Sequence, residues 1–246
     1  MMRAARLIAG REWRAAFDSA IAPVTLVVSV LFVNTAFMNG FFLEGRAELT
    51  RLFTALPLFF AVLVPALTMR LFAEERKART IELLFSLPIT TRDAVLGKFL
   101  ASLGLLAVFL LGTLPLVAAV GALGAPAWGE VAAGYLGLAL LGAELAALGL
   151  LFSALARDQI VAFVGAAVAG AVLVLLGNPR VKSVLDGLVD DPFWTPGTWL
   201  SEWFSPMPHF DALLRGDVAL GSLVHFALFG ALFLWAASGV LDRERA

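Results

Sequence analysis

The sequence predicts an all-α integral membrane protein with six transmembrane helices, an N-terminal interfacial helix, a structured insertion on one side of the membrane and a second on the other. Three observations predict it. Of the 246 residues, 61% are hydrophobic and 15% charged, with a mean hydropathy of +0.91, well outside the range of water-soluble domains. Six apolar runs are each long enough for a helical crossing, which needs at least about 17 residues. The basic residues gather on alternate loops.

The chain reads as one transmembrane domain over residues 1–246, with no repeat, low-complexity tract or second domain. Cysteine is absent, which excludes disulfides, thiolate metal sites and a cysteine nucleophile. A net charge of −1 decides little, because in membrane proteins the placement of Lys and Arg matters more than their sum.

Residues 1–19 precede the first span. Arg3, Arg6, Arg11 and Arg14 fall within an arc of roughly 140° on a helix and the opposite side is mostly alanine. This predicts an interfacial helix whose arginines meet lipid phosphates; a plain basic flank is the alternative. The following apolar run is too long for the h-region of a cleaved signal peptide.

The spans are expected at Ile21 to Leu43, Leu52 to Phe72, Ala94 to Gly121, Val131 to Leu155, Ile160 to Gly177 and Val218 to Leu241. Six crossings put both ends on one side. That side would hold thirteen of the 18 basic residues, and the other only Arg46, Arg51, Arg180, Lys182 and Arg215. Because cytoplasmic loops carry the excess of Lys and Arg, both termini are expected in the cytoplasm.

Two loops are longer than the rest. In the cytoplasmic segment, residues 73–93, Ile81, Leu84 and Phe85 share a helical face and Glu75 stands four residues before Arg79 as in a helix ion pair. A short helix from Glu74 to Ser86 is expected. Pro88 disfavours helix at Leu87, and Thr90 with Asp93 resembles a capping box opening the third span. An apolar face flanked by charges at the membrane surface needs cover, either lipid headgroups or a partner groove.

The external segment, residues 178–217, carries Pro179, Pro192, Pro196, Pro206 and Pro208, which forbid one continuous helix. Trp199 and Trp203 share a face and Trp194 lies nearby. Tryptophan favours the membrane interface, so short interfacial helices, or an ordinary loop with an aromatic anchor, are expected. The mildly acidic rim, Asp186, Asp190, Asp191, Glu202, Asp211 and Asp217, is no substrate signature.

Inside the spans, Glu144 is the foremost polar residue, either a functional carboxylate facing a cavity or packing glue hydrogen-bonded to a neighbouring helix. His225 lies nearer the outer end of its span, roughly 10 Å from Glu144 in depth, too far for a direct pair. His209 reads as a loop residue, and two histidines make no metal site. Phe32, Phe37, Phe41, Phe42, Phe59 and Phe60 either line an apolar path or simply pack.

No phosphate loop is present: Phe99 follows Gly97 and Lys98, so the chain cannot supply its own ATP-driven power. Neither HExxH nor GxSxG occurs, and nothing points to nucleic acid. A membrane scaffold or enzyme using Glu144 or His225 is the remote alternative.

The run EERKARTIELLFSLPITTRDAVLGKFLAS resembles the cytoplasmic signature of type-2 ABC exporter permeases, in the branch of the gliding-motility and copper-maturation permeases. The matched positions are Glu74, Glu75, Arg79, Thr80, Ile81, Glu82, Leu84, Leu87, Pro88, Ile89, Lys98 and Phe99. Two further stretches are similar, LFSALARDQIVAFVG and SPMPHFDALLRGDVALGSLVHF, so the likeness extends over nearly the whole chain.

The resemblance implies that the segment between spans two and three is a coupling helix docking in an ATPase cleft. ATPase-docking residues would then be Glu74, Glu75, Arg79, Thr80, Ile81, Glu82, Leu83, Leu84, Pro88 and Ile89, with Arg157 and Asp158 in the second cytoplasmic turn. It also implies re-entrant external helices, a bacterial inner-membrane location and a second permease, identical or related. ATP and magnesium would be bound by the separate ABC ATPase, with no catalytic, metal or cofactor site in this chain. The expected function is an ABC exporter permease subunit; the alternative is ATP-driven mechanotransmission through residues 178–217 to a periplasmic partner without solute transport.

Overall fold

A computed structural model describes residues 2–44, 49–81, 89–124, 126–188 and 195–245. Among them eleven helices occur: α1 Met2–Asp18, α2 Ile21–Glu44, α3 Thr50–Thr68, α4 Arg70–Lys77, α5 Thr91–Leu123, α6 Trp128–Leu155, α7 Gln159–Leu176, α8 Pro179–Asp186, α9 Pro196–Phe204, α10 Met207–Leu214 and α11 Leu220–Arg245. Six stretches are long and apolar enough to cross a membrane, and they fall on the six expected spans.

Helix α6 is the axis of the bundle and its hydropathic stretch is the most buried of the six. Without a hydrophobic drive between helices in lipid, close packing needs small residues at the contacts. Gly134 admits the ring of Phe53 and Gly142 admits Leu106, while Gly149 lies against the Thr68 hydroxyl. A methyl group at any of these positions would collide with its neighbour.

Helices α3 and α4 form one rod. Met69 between them keeps helical backbone angles, with φ −53° and ψ −33°, and its N–H donates to Pro65 O at 2.8 Å. The junction is fastened to α6 by one hydroxyl. Ser153 Oγ, fully buried, accepts from the N–H groups of Phe72 at 3.0 Å and Ala73 at 3.2 Å and donates to Met69 O at 2.9 Å. One donor and two lone pairs are thereby all used.

The expected helix from Glu74 to Ser86 does not form as drawn. Helix α4 begins earlier, as a continuation of α3, and stops at Lys77. Arg79 adopts a left-handed φ of 56°, with Thr80 N–H reaching Glu75 O and Arg79 N–H reaching Arg76 O, the paired bonds of a Schellman ending. A non-glycine residue in that conformation costs about 1–2 kcal/mol, so the helix ends here against local preference. Residues 82–88, which include Glu82, Leu83, Leu84, Phe85, Ser86, Leu87 and Pro88, lie outside the described residues.

The next start matches expectation. Thr90 Oγ1 accepts from Asp93 N–H at 3.1 Å, and the Asp93 carboxylate receives Thr90 N–H at 3.4 Å, completing the capping box of α5. At 33 residues and a 1.5 Å rise, α5 is about 50 Å long, longer than the hydrocarbon core of about 30 Å.

Helix α1 is amphipathic but is more than an interfacial float. Its arginines 3, 6, 11 and 14 are exposed while Ala5 and Ile8 are buried, and it lies along the first half of α5. Gly97 leaves room for Ile8 and Gly104 for the Trp13 ring; one turn pair further, Gly112 takes Val30 of α2. Asn34 Nδ2 also donates to Gly112 O at 3.1 Å.

Both chain ends meet on one face. Ile8, Val95, Ala237 and Leu241 share an apolar cluster, and Thr91 Oγ1 donates to Asp242 of α11 at 2.5 Å. This is called the terminal face below. On the distal face the insertion is three short helices, each opened by a proline in its first turn. Asp186 closes the α8–α9 corner, accepting from Gly197 N–H, Thr198 N–H and Thr198 Oγ1. Helix α10 is inserted into the bundle, with Phe210 and Leu213 fully buried and packed at Gly137 of α6. Trp199 and Trp203 are exposed on one face of α9, as their spacing predicts; Pro192 and Trp194 lie outside the described residues, as does the rim pair Asp190 and Asp191.

Removing the Ser153 hydroxyl strands two buried donors and an acceptor, a loss of about 1–3 kcal/mol. Ser153→Ala is therefore expected to lower the thermal unfolding midpoint of the detergent-purified protein; an unchanged midpoint would show that the α3–α4 rod is held by other contacts.

Candidate functional site

The terminal face is organised around one buried cation. Lys98, in the second turn of α5, is fully buried, and an ammonium group in that position must have partners for its charge and its three N–H groups. Nζ donates to Leu71 O at 2.5 Å, to Glu75 Oε1 at 2.9 Å and to Glu12 Oε1 at 3.2 Å. It also stands 4.9 Å from the centre of the Phe72 ring. Arg11 closes the cluster at 2.7 Å from Glu12 and 3.4 Å from Glu75. Two cations thus face two carboxylates, and helices α1, α4 and α5 are tied at one point.

Burial alone pushes the Glu12 carboxyl up, but Lys98 and then Arg11 outweigh it and hold the group below its ordinary value of 4.5. Arg11 is correspondingly raised, chiefly by its hydrogen bond to Glu12. The pair expected between Glu75 and Arg79 is replaced: the turn at Arg79 takes it out of helical register, and Glu75 binds Lys98 and Arg11 instead.

A second contact brings the stretch after span two and the turn after span four together on the terminal face. Lys77 Nζ lies 2.9 Å from Asp158 Oδ2, and Asp158 also caps α7 by accepting Ile160 N–H at 2.8 Å. The hydrogen bond from Lys77, then that from Ile160, holds Asp158 below the usual carboxylate range. Both side chains are more than a third exposed, so this bridge fixes geometry and contributes little stability. Beside it Ala73 packs with Ala156 and Ala162.

Of the docking residues expected from sequence, Glu74, Arg79, Thr80 and Arg157 are exposed. Ile81 and Ile89 are partly buried against the cluster that includes Phe72 and Leu150, and Glu75 is turned inward to Lys98. These residues, with Asp158, occupy one face.

Residues 6–238 match the model of the ABC-2 family transporter proteins. The chain belongs to the ABC-2 transporter family. No curated protein matches it. The family makes this multi-pass protein a permease subunit of an ABC transporter, a generally non-catalytic role, and implies an ABC ATPase partner.

The ABC-2 permease keeps its other polar residues away from this face. Glu144 is buried in α6 and neither carboxylate oxygen bonds to any described residue. His209 lies on α10 rather than in a loop, and its ring rests on that of His225 at 4.2 Å. The sequence reading missed this pair because sixteen residues and a helix boundary separate the two. The phenylalanines divide: Phe37 and Phe60 are core residues, while exposed Phe32 stacks on Phe59 at 5.9 Å. The side chains of Phe41 and Phe42 lie outside the described residues.

The Lys98 cluster was the larger omission. Lys98 looks like one more basic residue near a span end, and the signal that marks it is its position eight residues after a helix cap, already inside the apolar run. Because the Glu12 carboxyl is lowered on folding, its stabilisation is complete above about pH 4.5 and is lost as pH falls through the lower folded value. Wild type is expected to lose thermal stability on acidification below that point and Glu12→Gln to lose less. Parallel pH profiles would contradict the assignment.

Proposed function

We propose that this permease couples ATP hydrolysis by a separate ABC ATPase to export across a bacterial inner membrane, with the terminal face cytoplasmic and the α4 arm receiving the force. The observation that carries the reading is the buried Lys98 cluster. It lies directly beneath the residues that resemble a coupling segment and joins them to two further helices. The distribution of thirteen basic residues against five supports the orientation, and the sequence likeness of residues 74–102 supports the gliding-motility and copper-maturation branch.

In this mechanism ATP-driven closure of two ATPase subunits pushes on α4 and the segment following it. The displacement passes through Lys98 to α1 and α5 and through Ser153 to α6, and from Gly137 to the inserted α10 on the distal face. A second permease, identical or related, completes the transport unit. Exposed apolar faces of α2, α7 and α11, including Leu31, Val164 and Leu228, provide surface for that pairing and for lipid. The docking surface is Glu74, Arg79, Thr80, Ile81, Glu82, Leu83, Leu84, Pro88, Ile89, Arg157 and Asp158, with Glu75 as the inward tether. ATP and magnesium reside in the ATPase.

Co-purification in detergent with a co-expressed cognate ABC ATPase tests the reading. Wild type is expected to retain the ATPase stoichiometrically, and Arg157→Glu and Ile81→Asp to lose it while remaining monodisperse. Absence of ATPase from wild type, or equal retention by both variants, would overturn the docking assignment.

A further inference from the structure

A crevice of about 200 Å³ opens on the terminal face between the α1–α2 elbow and the α3–α4 rod, backed by α5. It lies where the apolar run of α3 gives way to the charged run of α4. The wall is apolar toward the bundle, with Leu67, Leu71 and Leu105, and charged at the other end, with Glu12, Arg70 and Glu74. The charged run of α4 begins at Arg70.

The charged groups at the rim are only half used. Arg70 spends Nε on Glu74 Oε2 at 3.1 Å and Nη1 on Ser19 Oγ at 2.7 Å, and no described residue accepts from Nη2. Both bonds to Glu12 arrive on Oε1, leaving Oε2 without a donor. Glu74 uses Oε2 alone, so Oε1 is open as well. The crevice therefore offers a guanidinium edge and two carboxylate oxygens around one cavity. Water alone would need about six or seven molecules to fill it.

We propose that this crevice binds the headgroup of a zwitterionic phospholipid from the leaflet on the terminal side, its phosphate accepting from Arg70, its ammonium donating to Glu74 and Glu12, and its acyl chains leaving along the apolar wall. The charge balance selects this class. With Arg11, Lys98 and Glu75 behind Glu12, the three cations and three carboxylates of the rim and the cluster sum to zero, and a zwitterion preserves that balance. An anionic lipid would set a net negative charge beside two carboxylates in a low-dielectric site. A guanidinium is suited to phosphate, and amphipathic helices such as α1 lie at headgroup level. The bound lipid bridges α1, α2 and α4, next to the Lys98 cluster but through separate atoms. The proposal stands whether or not the ATPase docks as described above.

Native mass spectrometry of the delipidated, detergent-purified chain tests it with palmitoyl-oleoyl phosphatidylethanolamine against the phosphatidylglycerol of the same acyl chains. Wild type is expected to retain one phosphatidylethanolamine at least fivefold better than phosphatidylglycerol. Glu74→Gln is expected to bring the ratio toward one, and Arg70→Ala to weaken both. Ala16→Phe, which fills the crevice and leaves every charge in place, is expected to abolish retention, and keeps the test decisive if Arg70→Ala fails to fold. Equal retention of the two lipids by wild type, or undiminished retention by Ala16→Phe, would overturn the proposal. Displacement of the lipid by millimolar inorganic phosphate would also overturn it, since the occupant would then be a free anion.

Discussion

The ammonium of Lys98 is the constraint around which the terminal face is built. A charge with no exposure to water can be kept only where hydrogen bonds and opposite charges replace hydration, and here the replacements come from two other helices distant in sequence. Glu12 supplies one from α1, while Glu75 and the Leu71 carbonyl supply two from α4. Loss of the lysine would leave two carboxylates with the half-exposed Arg11 as their shared cation, and breaking a buried pair costs about 3–5 kcal/mol. The cluster is therefore costly to break, and it ties α1, α4 and α5 at one point.

The coupling role proposed for the α4 arm requires a packed route through the rest of the bundle. Where α3 meets α4 at Met69 the backbone keeps helical angles, and the Ser153 hydroxyl fills the hydrogen-bonding needs of the junction. The glycines of α6 bring that rod, α5 and the distal α10 into direct contact with one helix. A shift of α4 therefore has a packed route across the membrane, and the crevice above Arg70 sits where a lipid can brace the elbow against the rod.

Much of this was legible in the sequence. Hydropathy and the basic residues give the six spans within a few residues, the Thr90–Asp93 spacing gives the start of α5, and the prolines and tryptophans of residues 178–217 give short distal helices. Three features were not legible. The end of α4 depends on a left-handed Arg79, a conformation that residue type alone argues against. Lys98, Glu12 and Glu75 are separated by tens of residues and look like ordinary surface charges until the glycines of α5 bring α1 close enough to bury them. His209 and His225 similarly meet only because α10 turns into the bundle. In each case tertiary packing overrides a local preference that was read correctly.

The most direct test of the account uses the fact that the chain has no cysteine, so paired spin labels can be introduced without background. Labels at Ala78→Cys, just past α4, and Arg14→Cys, on the exposed face of α1, report whether the arm and α1 move as one body. The account predicts a single narrow distance distribution by pulsed electron resonance, broadened when Lys98→Met is added. A distribution equally narrow in Lys98→Met would contradict it, because the arm would then be held to α1 without the buried charge.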